Sequence, residues 1–371
     1  MSHSVDSDRR YYAAAQEHFA RKNSDDPPDI KCTAADIGCG RSGSLFEHDK
    51  LRRHPCSLAG LFHFHEHFRI IAGCDRLAEK RARFSVDWGV PAAHVYHDFR
   101  KLFASVVPDM VAVATYTESH AEIVIAAARA GVKMILCEKP LALNTAQADN
   151  MIRVCREEGT LLAVHHERRW TNYYRTAKKL IESGEIGDVM TVIGNVLTGP
   201  PNPDCHSKPR VSGGGPTLHD GTHLFDIIPF LCGKIVSVKG ETESKNPKLQ
   251  VEDTARILMR LENGALVFAE CGGRRKYFNF ELDIQGTNGR IKIGNAGCEL
   301  YTVAKSGRYE GFTEFKKRDF PELEDSEYFP FILNEIATAY DICQPSISSG
   351  EDGREALANV LKVYESREKL I

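Results

Sequence analysis

Short apolar runs alternate with helical periodicity from residue 31 to about residue 165. Lys31–Ile37, Phe68–Cys74, Pro108–Thr115, Val132–Leu136 and Leu161–Val164 are brief and almost continuously apolar, the pattern of buried strands. Between them, Leu77–Trp88, Ala121–Ala130 and Thr145–Glu158 read as helices, and Gly131 and Gly159 stop the last two. This alternation predicts a parallel, doubly wound sheet. After residue 170 the pattern changes. Tyr173–Ser183 reads as a helix stopped by Gly184, and the strand-like runs Val189–Leu197, Ile235–Glu241, Thr254–Leu261, Ala265–Cys271, Asn279–Gln285 and Arg290–Ile293 follow. Asn263-Gly264 and Asn288-Gly289 are hairpin turns, so a mostly antiparallel sheet is expected. Glu327–Cys343 and Glu355–Lys369 close the chain as helices. The fold class is thus α/β plus α+β. Residues 1–30 are polar and read as an extension, with a candidate helix at Tyr11–Arg21.

Composition narrows the partners. A chain of 371 residues with 42% hydrophobic content suggests two domains with proper cores. A formal charge of -3 gives no footprint for nucleic acid. No apolar run is long enough to span a bilayer, and the first residues lack the basic and apolar regions of a secretory signal. Eleven scattered cysteines without a Cys-x-x-Cys pair imply reduced thiols and a cytoplasmic location.

Three stretches carry chemistry. The first is Gly38-Cys39-Gly40-Arg41-Ser42-Gly43, a G-x-G-x-x-G turn between a strand and an expected helix. Its glycines let the backbone approach a pyrophosphate, and a helix N-terminus would supply N–H donors. Asp75, at the end of the second strand, can accept hydrogen bonds from ribose hydroxyls and favours NAD; it can also cap the helix that follows. Arg76 beside it leaves NADP as the alternative. The residues from His48 to Phe68 exceed the usual spacing and hold His48, His54, Cys56, His63, His65 and His67. If extended, His63, His65 and His67 would share one side. The expectation here is a surface loop and no metal.

The second stretch is Cys137-Glu138-Lys139-Pro140-Leu141. A Glu-Lys pair at the carboxyl end of a buried strand, stiffened by proline, places Lys139 where open α/β sheets bind ligands. A solvated lysine at a strand end is the competing reading. The third is Gly213–Asp226, in which three glycines and a proline precede a helical pattern. His219 and His223, four residues apart, would share a helical face. Two such imidazoles suit proton transfer or part of a zinc site, but no third ligand is evident; a structural pair packed at an interface is the bland alternative.

In this order and spacing, these stretches resemble the glucose–fructose oxidoreductase / inositol dehydrogenase / MocA family over residues 31 to 371. The resemblance implies a dinucleotide-binding Rossmann domain over 31–160, with a C-terminal helix over 351–371 packing back on it. It implies a substrate-binding and oligomerisation domain over 161–350, and a site between the two. Lys139 and His223 then flank the substrate beside the nicotinamide, with Arg168 and Trp170 near both. Many members carry an Asp four residues before the histidine, where this chain has His219 followed by Asp220. Either His219 assists proton relay and substrate binding, or Asp220 takes part; helical alignment favours the first. Family positions after the Pro108–Thr115 strand match at His120, with Thr115 and Thr117 as further cofactor contacts, and Glu138 joins them.

The implied function is NAD(P)-dependent hydride transfer at a secondary hydroxyl of a sugar, glycoside or cyclitol. A glycoside hydrolase acting by transient oxidation and a non-catalytic dinucleotide-binding protein are the alternatives. The implied assembly is a homodimer or homotetramer built through the C-terminal sheet.

Overall fold

The computed structural model describes residues 31–201, 213–321 and 328–366. The extension over 1–30, its candidate helix and the end of the last helix lie outside them. Contacts divide the chain into two compact units, one reaching Thr115 with Ala126–Leu136 added, the other Tyr116–Ile125 with the chain from Cys137 onward.

The five expected strands, with the two-residue Val95–Tyr96 that the pattern did not mark, form a six-stranded sheet of order β3-β2-β1-β4-β5-β6. They are β1 (Cys32–Ile37), β2 (Phe68–Cys74), β3 (Val95–Tyr96), β4 (Met110–Val113), β5 (Met134–Cys137) and β6 (Leu161–Val164). In the first unit β1 pairs in parallel with β2 and β4, and Met110 to Val113 are wholly buried. Continuous apolar runs form these strands because both faces of a parallel sheet are covered. The helices include α1 (Leu58–Phe64), α2 (Ala78–Trp88), α3 (Phe99–Ser105), α4 (His120–Arg129) and α5 (Thr145–Glu157).

The region after the glycine turn departs from expectation. No α-helix follows Gly43 directly. The chain makes a turn and a short 3-10 helix, Leu45–His48, and α1 begins only at Leu58. The segment expected as a surface loop thus supplies a buried helix, with Leu58, Ala59, Leu61 and Phe62 at most 2% exposed. Ser57 caps it, accepting from the Gly60 N–H at 3.0 Å. His63 belongs to α1, so it does not form an extended row with His65 and His67. Seven residues interrupted by Gly60 are too few to establish a helical period in sequence.

The second unit contains an eight-stranded sheet of order β14-β13-β12-β11-β7-β10-β9-β8. Its strands are β7 (Val189–Leu197), β8 (Ile235–Glu243), β9 (Thr254–Leu261), β10 (Leu266–Gly272), β11 (Asn279–Gly286), β12 (Gly289–Gly294), β13 (Gly297–Lys305) and β14 (Thr313–Arg318). All neighbouring pairs are antiparallel except β7 with β10. The two Asn-Gly turns join β9 to β10 and β11 to β12, while β13 and the polar edge strand β14 are missed by the apolar pattern. The helices are α6 (Asn172–Glu182), α7 (Pro216–His219), α8 (Thr222–Cys232), α9 (Tyr328–Asp341) and α10 (Gly350–Glu365). Leu224 and Ile228 of α8 fill the space left by the missing side chain of Gly194 in β7. The other sheet face carries the exposed apolar side chains Ile193 and Phe268. Among the described residues no helix is long and apolar enough to cross a membrane.

Candidate active site

β5 is buried along its whole length, and the chain turns polar as it leaves the sheet. Glu138 is fastened at once. One carboxylate oxygen lies 3.0 Å from His165 Nδ1, and the other accepts the Lys139 N–H at 3.1 Å. His165 in turn donates its backbone N–H to the Cys137 carbonyl at 2.7 Å. Burial would raise the Glu138 pKa, but the His165 charge and hydrogen bond, with Lys139, more than offset it and hold it at about 2. Burial likewise opposes the charged form of His165, yet Glu138 raises it. Glu138 therefore stiffens the turn. The Lys139–Pro140 bond is cis, and the Pro140 and Leu141 carbonyls lie 3.1 and 3.3 Å from His120 Nδ1. His120, expected to touch the cofactor, is instead completely buried and braces this turn from below.

So anchored, Lys139 reaches across to the third stretch. Its Nζ donates to the backbone carbonyl of His219 at 2.8 Å. That carbonyl is at the end of α7; the chain breaks at Asp220-Gly221, and α8 starts at Thr222. His219 and His223 are thus on different helices, which corrects the expectation of one shared face. The glycines upstream are needed for close approach. Gly215 has φ +99°, and a Cβ there would lie 2.8 Å from both Glu252 carboxylate oxygens, while one on Gly213 would meet Thr117 at 2.8 Å.

His223 is 7% exposed and His219 is exposed, its Nδ1 3.0 Å from Asp220 Oδ1. The carboxylate beside His223 belongs to Glu167, with Oε2 3.5 Å from Nδ1. The His166 and Phe280 rings meet His223 edge-on at 5.8 and 6.4 Å. Burial drives the His223 pKa well down, and the positive charges of Arg168 and Lys139 push the same way, so the imidazole is neutral and able to accept a proton. Arg168 lies 3.8 Å above the Phe280 ring and donates to Glu167 at 2.6 Å.

The rest of this segment is structural. Arg169 is buried and pairs with Asp226 of α8, Nε to Oδ2 at 3.0 Å and Nη2 to Oδ1 at 2.9 Å. Asp226 is also 3.2 Å from His166 Nδ1. Trp170, expected to contact substrate, is 0% exposed, and its indole N–H donates to Glu335 at 2.9 Å. It offers a substrate no surface. The sequence reading missed Glu167, His166 and Asp226. Asp226 was legible as the residue one helical turn after His223, but which carboxylate turns toward His223 depends on how the Glu167–Trp170 turn and α8 pack.

Of the other expected cofactor residues, Thr117 belongs to the second unit and the rest to the first. Gly38 has φ +109°, and a Cβ there would lie 2.5 Å from the Ala114 carbonyl carbon and 2.7 Å from the Thr115 nitrogen. A Cβ on Gly43 would strike the Gly38 carbonyl oxygen at 2.0 Å. The turn therefore exists only with glycine, and its bare backbone suits a pyrophosphate. Cys39 is buried, so its side chain faces inward and donates to the Cys74 carbonyl at 3.6 Å. Gly40 closes the turn through the Ser44 and Leu45 N–H groups, both 2.9 Å from its carbonyl, while Ser42 and Gly43 accept from Leu58 and Ala59 of α1 at 2.9 and 2.8 Å. Arg41 lies 5.1 Å from the Phe46 ring centre. Asp75 accepts the Leu77 N–H at 2.8 Å and lies 4.0 Å from Lys80 Nζ. Arg76 is exposed. These residues fit a dinucleotide.

Residues 34–166 match the model of the GFO/IDH/MocA oxidoreductase family with its NAD-binding Rossmann fold, and residues 174–292 match the GFO/IDH/MocA C-terminal domain. The chain is 31% identical to a D-apiose dehydrogenase of Rhizobium rhizogenes, over 64% of this chain and 69% of the relative. It is 29% identical to a myo-inositol 2-dehydrogenase of Thermotoga maritima, over 76% and 83%. Among solved structures, an oxidoreductase from Agrobacterium radiobacter in complex with NAD+, L-tartaric acid and magnesium superposes with a TM-score of 0.71 at 25% identity, covering 91% of this chain and 96% of that one.

Proposed function

The chain belongs to the GFO/IDH/MocA oxidoreductase family, and from that premise we propose that it oxidises a secondary hydroxyl of a sugar, glycoside or cyclitol, or reduces the matching ketone. The protein is an NAD-binding oxidoreductase. The observation that carries the substrate reading is the pairing of a fixed cation, Lys139, with a buried neutral base, His223.

His223 takes the hydroxyl proton. Lys139 donates a hydrogen bond to the same oxygen and stabilises the charge that develops there. Glu167 supports the imidazolium that results, and Arg168, held over the Phe280 ring, faces the substrate's other oxygens. When bound, the nicotinamide supplies the hydride acceptor, and that chemistry is the cofactor's own. His219 lends its carbonyl to Lys139, and its exposed ring, held by Asp220, is a substrate contact. Gly38 to Gly43 and Asp75 hold the dinucleotide, with Thr115, whose backbone lies beside Gly38, and Thr117 as further contacts. Asp75 favours NAD, with NADP as the alternative.

We assign 31–160 to cofactor binding and 161–350 to substrate binding and assembly. The apolar side chains Ile193 and Phe268 on the outer sheet face support a homodimer or homotetramer through that face. Burial raises the pKa of the Cys39, Cys74, Cys137 and Cys271 thiols, which suits a reducing cytoplasm.

The test is a screen of sugars, glycosides and inositols with NAD+ and NADP+, followed by absorbance of the reduced cofactor. Net reduction with a polyol supports the proposal. Glycoside cleavage without net reduction favours the hydrolase, and dinucleotide binding without any turnover favours a non-catalytic protein. A strong preference for NADP+ overturns the role given to Asp75.

A further inference from the structure

The segment between the glycine turn and α1 gathers Glu47, His54 and Cys56, whose ligand atoms all lie within 4.8 Å of one another. Each is oriented by something else. Glu47 Oε2 accepts the backbone N–H groups of Cys56 at 3.1 Å and Ser57 at 3.0 Å, and the Ser57 hydroxyl at 2.6 Å. That pins the carboxylate and turns Oε1 toward His54 Nδ1, 2.9 Å away. The other ring nitrogen, Nε2, lies 2.9 Å from the Asp49 carbonyl oxygen.

The Asp49 carbonyl thus holds one ring nitrogen and leaves the other, Nδ1, directed at the Glu47 carboxylate. The Cys56 sulfur lies 3.7 Å from that nitrogen. Tetrahedral zinc with Zn–N of about 2.0 Å and Zn–S of about 2.3 Å separates N and S by roughly 3.5 Å. A ligating histidine whose far N–H is held by a backbone carbonyl is also the usual arrangement around such ions. The His54 and Glu47 side chains are only 15% and 11% exposed, so the cluster is largely shielded from bulk solvent.

We propose that Glu47 Oε1, His54 Nδ1 and Cys56 Sγ form a structural site for a divalent zinc ion. Binding replaces the Cys56 thiol proton, and any proton on His54 Nδ1, by Zn²⁺; no electron moves. The ion ties the 3-10 helix that follows the glycine turn to the N-terminus of α1. Leu58 and Ala59 of α1 hold the Ser42 and Gly43 carbonyls, so the ion braces the turn itself. Of the histidines singled out in this segment, His54 is the ligand, while His48 pairs with Asp87 at 2.7 Å and His63 packs against Trp88.

The test is zinc titration and metal content of the full-length protein, with cobalt substitution as the spectroscopic probe. One zinc per chain is expected, with a cobalt–thiolate charge-transfer band. Cys56→Ser should abolish the band and weaken zinc binding by at least ~100-fold, since even outer partners of such sites cost about 10–100-fold. His54→Gln should weaken it comparably. In the wild-type chain, zinc should slow alkylation of Cys56 and leave the exposed Cys343 unaffected, a readout that needs no variant to fold. Equal zinc binding by wild type and Cys56→Ser, or Cys56 alkylation unchanged by zinc, overturns the proposal.

Discussion

Replacing Glu167 by Gln removes a charge and keeps a shape. Its Oε2 stands 3.5 Å from His223 Nδ1. At that distance two unit charges interact by about 5 kcal/mol at an effective dielectric of 20 and by about 1 kcal/mol in water. The Glu167 side chain is 31% exposed, so solvent screening puts the value near the lower end, about 1–2 kcal/mol. Glu167 acts on the protonated imidazole, which forms only as the hydroxyl proton is taken. Glu167→Gln should therefore lower kcat/KM roughly tenfold. The acidic limb of its pH profile should move to lower pH by about one unit, because the free base binds its proton less tightly. Dinucleotide affinity should not change. The assay is the pH dependence of kcat/KM on the polyol found in the screen, beside a cofactor titration. A variant within twofold of wild type, with an unmoved acidic limb, refutes the positioning role of Glu167.

Lys139→Ala should lower kcat by about 10²–10³-fold, the cost of losing one donor to a developing oxyanion, with cofactor affinity unchanged; a fully active variant removes Lys139 from the chemistry. Trp170→Phe should cost about 1.5–3 kcal/mol of stability through the lost bond to the Glu335 carboxylate and leave substrate KM unaltered, whereas a raised KM at unchanged stability would make Trp170 a substrate contact after all. The Glu138–His165 pair should leave a mark on stability against pH. Glu138 is held below its ordinary 4.5 at about 2, so its contribution is present above 4.5 and fades in acid; His165 is raised above 6.5, so its contribution is complete below 6.5 and fades as pH climbs through the raised value. The melting-temperature gap between wild type and His165→Gln should be widest between pH 4.5 and 6.5 and narrow as the pH climbs through the raised His165 value; a gap that widens with pH contradicts the pairing.

Reading the chain succeeded where one residue's neighbours in sequence are also its neighbours in space. The strands of the parallel sheet are continuous apolar runs, and β7 and β9 begin and end where the pattern says. The glycine turn needs glycine because the next strand's backbone passes within reach of Gly38, and that constraint is written in the residue types. Reading failed where short elements took their order from tertiary contacts. α1 is seven residues interrupted by Gly60, and its capping depends on Glu47 reaching Ser57. β13 and the polar β14 lack a clear alternation of buried and exposed positions but are held by pairing with their neighbours.

The candidate site divides the same way. Sequence by itself determined which groups could act, Lys139 on a stiff turn and His223 after a glycine-rich loop, because residue type and local backbone set both. It could not decide their partners. The break at Asp220-Gly221 sends His219 and His223 onto separate helices, so the carbonyl of His219 rather than its ring meets Lys139. His120 and Trp170 turned out to be buried supports. Glu167 became the carboxylate beside His223. A side chain's charge is a property of the residue; what that charge faces, and how much water remains around it, belongs to the packing of segments more than fifty residues apart in the chain.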